Sequence, residues 1–169
     1  MTKHSLNHIR VWVAAFAIVT LILTLFRNEY YIVAEQNDTL LFAWAADKGE
    51  RFEVEFVHSL NLSPIVDVFE VTGEGFILRE SIFSSLGAGS PTPADHPGSE
   101  LIHSNGVFRL IGIDKPMNSL TILTQDTPNH RISFGEREAF LLELVGSGKS
   151  VTIEIKRLPL AARLIIGLP

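Results

Sequence analysis

The sequence predicts an all-β domain, an antiparallel β-sandwich or barrel-like fold, preceded by a single N-terminal transmembrane helix. Apolar residues recur with period 2 in short runs, and turn chemistry interrupts those runs every eight to twelve residues. Before them stands Val11–Phe26, a run of 16 residues without a charge, a Pro or a Gly. Composition narrows the field further. With 46% hydrophobic and 20% charged residues, the chain of 169 residues is not a disordered polymer. The absence of Cys excludes a disulfide scaffold, a zinc ribbon, a thiolate cluster and a Cys nucleophile. A net charge of −5 gives no electrostatic reason to bind nucleic acid.

The first element is the apolar run. At about 1.5 Å per residue it covers roughly 24 Å, short of a hydrocarbon core of about 30 Å, so the flanking Arg10 and Arg27 are expected to snorkel. The alternative, a cleaved signal peptide, needs small residues at a cleavage site, and Leu25-Phe26-Arg27-Asn28-Glu29-Tyr30 offers none. An uncleaved anchor over residues 11–26 is therefore expected, with residues 1–10 cytoplasmic. Lys3 and Arg10 precede the run without an acidic neighbour, which sets that orientation by the positive-inside rule. Residues 27–157 then form a domain on the far side of the membrane, outside the cytoplasm. Residues 27–169 carry 12 basic against 19 acidic side chains, net −7. Ala14, Ala15 and Ala17 are small enough to let a second membrane helix approach closely. Tyr30 and Tyr31 suit either the headgroup region or the start of a strand.

Strands are expected at Tyr30–Glu35, Leu40–Ala45, Arg51–His58, Ile65–Val71, Gly75–Phe83, Val107–Ile113, Ser119–Thr124, Phe140–Val145 and Val151–Lys156. Asp47-Lys48-Gly49, Asn61-Leu62-Ser63-Pro64, Thr72-Gly73-Glu74-Gly75, Asn105-Gly106 and Gly146-Ser147-Gly148 supply the reversals. In Arg51–His58 the alternation places Phe52, Val54, Phe56 and His58 on one face, with Glu53 and Glu55 on a solvated one. Ser84–Ser104 reads as a 21-residue irregular loop, too long for a plain connection. Residues 158–169 form an apolar tail, too short to span a bilayer, which either packs on the domain or meets the membrane or a partner.

No catalytic constellation emerges. Ser59 follows His58 directly, and adjacent strand residues point to opposite faces, so the two form no nucleophile–base pair. No serine occupies a G-x-S-x-G elbow, and Gly87-Ala88-Gly89 lacks the Lys-Ser/Thr of a phosphate loop. His58, His96, His103 and His130 with Asp67, Glu70 and Glu80 could supply metal ligands, but none has zinc-site spacing. No enzyme activity, metal or cofactor is therefore expected.

Three motifs occur in order: Phe52-x-Val54-x-Phe56-Val57-His58-Ser59, then Pro64-x-x-Asp67-x-Phe69, then Glu80-x-x-Phe83-x-x-x-Gly87-Ala88-Gly89-x-Pro91. In these the chain resembles the bacterial domain-of-unknown-function family eighteen-fifty over residues 45–157, with Asp67 standing where the family pattern suggests Glu. The resemblance implies a small envelope protein with a compact β-domain, encoded beside TAXI-type TRAP transporters, the binding-protein-dependent importers driven by ion gradients. It leads to the expectation of a non-enzymatic, membrane-anchored accessory that contacts the TRAP membrane subunits or the TAXI-type solute-binding protein. The alternative is a stand-alone small-molecule or metal-binding envelope domain. The contact residues in either case are His58, Ser59, Pro64, Asp67, Phe69, Glu80, Phe83, Gly87, Ala88, Gly89 and Pro91, with the Val57–Phe69 hairpin and the Gly87–Gly98 loop forming one rim. His58 is expected to hydrogen-bond Asp67 or Glu80.

Overall fold

The structure, a computed structural model, describes residues 3–25, 28–87 and 89–159, with α1 side chains described for residues 12–22 and 24. After helix α1 (Lys3–Leu25) come β1 (Asn28–Gln36), β2 (Thr39–Ala46), β3 (Arg51–Val57), β4 (Pro64–Val71) and β5 (Phe76–Phe83). They are followed by β6 (Glu100–Ser104), β7 (Val107–Met117), β8 (Ser119–Leu123), β9 (Arg131–Phe134), β10 (Arg137–Phe140), helix α2 (Leu141–Val145) and β11 (Ser150–Pro159). The chain divides into a compact unit of Tyr30–Lys156 and a second unit of residues 1–29 and 157–169.

The Tyr30–Lys156 unit is a sandwich-like pair of sheets, ordered β2-β1-β11-β8 and β10-β9-β3-β4-β5-β7-β6. The all-β expectation is met, because alternating apolar residues from both sheets meet in one core: Ile32, Ala34, Ile122, Val151 and Ile153 from the smaller, and Phe52, Phe69, Phe76 and Leu110 from the larger. Phe52 stacks on Phe69 at 5.1 Å, and both meet Phe76 edge-on at 5.4 and 5.3 Å. Tyr31 is buried, and Tyr30 and Tyr31 lie within β1, two residues past its start at Asn28. The Asn105-Gly106 turn has φ of 52° and 77°, the paired positive values that a two-residue hairpin needs.

Two expectations are corrected, and one hairpin is added. Phe140–Val145 is not a strand: Phe140 ends β10, and Leu141–Val145 form α2, which Gly146 closes by donating its N–H to the Leu142 carbonyl. A short apolar run does not carry enough periodicity to separate helix from strand, and leucine is a good helix former. The loop ends at Ser99, because Glu100–Ser104 pairs with β7 as an edge strand. Its side chains are mostly exposed, so it lacks the apolar alternation that marks a strand with a buried face. The hairpin of β9 and β10 went unexpected, its four-residue strands being too short to show a period.

In α1, Trp12 and Phe16 are each 74% exposed, and Val13, Ile18, Val19, Leu21 and Ile22 are exposed with Ala14, Ala15 and Ala17. The hydroxyls of Thr20 and Thr24 donate to the carbonyls of Phe16 and Thr20, both at 2.9 Å. Among the described residues no helix is long and apolar enough to cross a membrane. Phe26, Arg27 and residues 160–169, which carry the end of the expected anchor and most of the expected tail, lie outside the described residues.

Candidate functional site

The turn from β3 to β4 and the loop from β5 to β6 form one end of the sandwich. His58 lies just past the end of β3, so it leaves the Phe52, Val54, Phe56 stripe instead of continuing it. Its backbone N–H donates to Ser63 O at 2.9 Å, and Leu62 N–H, in a residue at φ 50°, donates to His58 O at 2.8 Å. The imidazole Nδ1 accepts from the backbone N–H groups of Leu60 and Asn61, at 3.3 and 3.4 Å. Nδ1 is thus an acceptor, which leaves Nε2 to carry the proton of a neutral ring.

The facing loop approaches this turn through its glycines. A Cβ on Gly89, whose φ is 85°, would lie 2.9 Å from His58 Nε2, and a Cβ on Gly87 would lie 2.8 Å from the Asn61 amide. Two of the three family-like motifs therefore touch, and glycine is what permits the approach. The loop is also tied internally. Ser90 is buried, accepts Gly87 N–H at 3.0 Å and donates to Ser85 O at 3.2 Å. Thr92 Oγ1 donates to Asp95 Oδ2 at 2.6 Å, a bond that holds the exposed Asp95 carboxyl below its usual range. Three leucines stand out of this framework: Leu60 (71% exposed), Leu62 (70%) and Leu86 (51%).

The expected contact residues separate by environment. Ser59, Pro64, Gly87 and Gly89 are exposed at the rim, with His58 and Pro91 half-buried there, while Ala88 lies outside the described residues. Phe69 and Phe83 are each 2% exposed and belong to the core. Asp67 and Glu80 sit on opposite faces of the large sheet, Asp67 paired across strands with Ser81, and Glu80 its chain neighbour. Glu80 is buried and ion-paired to Arg109; the Ser81 hydroxyl donates to Asp67 Oδ1. With His58 committed to its own turn, the expected His58–carboxylate hydrogen bond does not form. Glu53 is exposed as expected, and Glu55 is half-exposed on that face, where it pairs with Arg131.

Asp67 faces inward. It lies opposite Val54 on β3, and with Val54, Phe56, Leu120, Ile122 and His130 it lines a cavity of about 230 Å³ between the sheets. Burial pushes its carboxyl above the ordinary value of 3.8, against smaller effects of the Ser81 hydroxyl and the charge of His96. His130, 5.4 Å from the Phe56 ring, is held below its usual range by burial, and its Nδ1 is buried without a hydrogen-bond partner. No group of three or more His, Asp or Glu side chains that could hold a metal ion occurs among the described residues.

A measurable stability effect follows from Asp67. Its folded pKa lies above its unfolded one, so the fold favours the protonated form; that contribution is present below pH 3.8 and lost as pH rises through the folded value. At pH 7 the burial of Asp67 therefore opposes folding. Asp67→Asn is expected to raise Tm by a few degrees at pH 7, the gain vanishing near pH 4, as followed by circular dichroism. A variant less stable at both pH values would show that the Ser81 hydrogen bond outweighs burial.

The rim leucines and His130 as a cavity residue were not singled out from the sequence. Two leucines within Leu60-Asn61-Leu62-Ser63, where turn chemistry favours polar residues, were the available signal. No curated protein and no solved structure matches the chain. The family model of the domain of unknown function DUF1850 matches residues 52–141, from β3 to the start of α2, and so takes in the turn, the loop and the cavity's Asp67 and His130. The chain belongs to the DUF1850 family.

Proposed function

We propose that this protein is a membrane-anchored, non-enzymatic accessory of a TAXI-type TRAP solute importer, whose sandwich meets the importer's solute-binding protein or membrane subunits through the rim. The observation that carries this reading is the leucine cluster: Leu60, Leu62 and Leu86 project from one end of the sandwich, on a turn and a loop locked by hydrogen bonds. Exposed apolar groups on a rigid frame suit a protein contact, because little conformational entropy is lost when they are covered. Tyr30, where the chain enters the unit, lies beside Gly73 at the other end. A partner at the rim therefore leaves the chain's entry unobstructed.

Anchoring through α1 is part of the same proposal. Its described apolar side chains are exposed, and its two threonine hydroxyls return to helix carbonyls, which removes donors that a bilayer could not satisfy. The acidic sandwich would then lie on the periplasmic or extracellular side.

The test is co-purification of the full-length protein from its native membrane in mild detergent. Wild type is expected to bring importer subunits with it, and the double variant Leu60→Asp/Leu62→Asp to retain less than about a tenth of them with Tm unchanged, because truncating central apolar anchors costs at least about tenfold in affinity. Undiminished recovery with the double variant would remove the rim from the proposal, and a protein that comes out alone would remove the importer.

A further inference from the structure

We propose that the inter-sheet cavity binds a small organic cation, an amine with an apolar body, whose ammonium group is held by the Asp67 carboxylate with His130 Nδ1 as a further acceptor. This stands independently of what the rim contacts.

The argument begins with charge. On the other face of the sheet, Glu70 is paired with Arg79 and Arg51, and Glu80 with Arg109. Asp67, on the inner face, has no ion pair within 4.0 Å among the described residues, the charge of His96 acting on it only as a smaller effect, and its hydrogen bond among them is the one from Ser81 to Oδ1. A buried carboxylate is strongly disfavoured unless a positive charge or several donors compensate it. Glu70 and Glu80 thus have cations from the sheet itself, whereas Asp67, which has none, is left for a cation from outside.

Hydrogen bonding points the same way. Oδ2 of Asp67 is an acceptor without a protein donor among the described residues, and His130 Nδ1 is buried without a partner. The two residues, Asp67 and His130, border one cavity. A neutral imidazole presents one nitrogen as an acceptor, and a primary ammonium carries three donors, so a single ammonium matches both needs. The remaining wall comes from Val54, Phe56, Leu120, Ile122 and Leu123, with Thr121 the one further polar residue, which suits a mainly apolar body. A sealed cavity of about 150 Å³ accommodates benzene, and this cleft of about 230 Å³, which opens to solvent, exceeds that. Asp67 and His130 are both half-buried, so the polar end of the cavity is reached from solvent.

The experiment compares charge at constant shape. The full-length protein in detergent micelles is titrated calorimetrically, against empty micelles, with 2-phenylethylamine and n-butylamine and with the uncharged alcohols 2-phenylethanol and n-butanol. Saturable binding of at least one amine, at least about tenfold tighter than its alcohol, is expected, because a charged hydrogen-bonded pair is lost in the alcohol. In Asp67→Asn, which retains cooperative unfolding, amine and alcohol are expected to bind alike. The proposal is overturned by three results: no saturable amine binding up to about 10 mM, far weaker than a site of this chemistry; equal binding of amine and alcohol to wild type; or an amine preference that persists in Asp67→Asn. The wild-type comparison decides the matter even where the variant does not fold.

Discussion

Phe52→Ala is expected to lower the midpoint of thermal unfolding by about 10 °C or more, the largest effect of any single truncation in the sandwich. Phe52 is fully buried and sits at the centre of an aromatic trio, stacked on Phe69 and edge-on to Phe76. Removing the ring forfeits its transfer energy and leaves a cavity that two neighbouring rings cannot collapse into without losing their own contact. Such truncations cost about 3–5 kcal/mol, a large share of the roughly 5–15 kcal/mol that holds a domain together. The effect extends to the rim, because Phe52 opposes Phe69 in the β3–β4 register that ends in the His58 turn. Circular dichroism of the full-length protein in detergent measures the shift. A change under about 3 °C would mean that the trio is not the centre of the core.

Gly75→Ala is the second large expectation. A Cβ there would lie 2.3 Å from the Met117 carbonyl oxygen and 3.1 Å from the Asn118 Cα, all backbone atoms of the strand end that pairs with β5. Backbone in a paired strand cannot step aside as a side-chain tip can, so β5 and β7 must separate at the Phe76–Met117 pair. A loss near the upper end of the roughly 1–3 kcal/mol range for overpacking is expected. Gly73→Ala, two residues away, is the control. Its added methyl would meet the end of the Lys48 side chain at 2.6 Å, which can swing away, so a change within about 0.5 kcal/mol is expected. Equal losses from the two variants would refute the backbone clash.

The same contrast between what a residue must touch and what it can avoid explains how far the sequence could be read. The strands with one buried face were legible because, as in β3, Phe52, Val54 and Phe56 alternate with Arg51, Glu53 and Glu55. β6 was not, since an edge strand with both faces largely exposed has no buried period to display, and Leu141–Val145 is too short for its period to be seen. The meeting of the His58 turn with the Gly87–Gly89 segment was foreseen from the ordering of the motifs. The role of His58 was not, because a ring nitrogen satisfied by N–H groups two and three residues along leaves no trace in composition. Asp67 carried a readable signal: it falls in phase with Ile65, Phe69 and Val71, and a carboxylate in an apolar phase is a buried charge awaiting a partner. What shares its cavity lay beyond the sequence, since His130 comes there from the segment just before β9.

The rim gives the anchored-accessory reading its mechanism. Apolar side chains on a hydrogen-bonded frame present a surface at fixed geometry, and no moving part is needed for contact. Its most direct test places a photo-crosslinking residue at the position of Leu60 or of Leu86 in the full-length protein in its native membrane, and at that of Glu74, in the turn at the opposite end, as control. The account predicts covalent adducts with an importer subunit from both rim positions and none from position 74. Importer adducts absent from the rim, or formed equally from position 74, would contradict it.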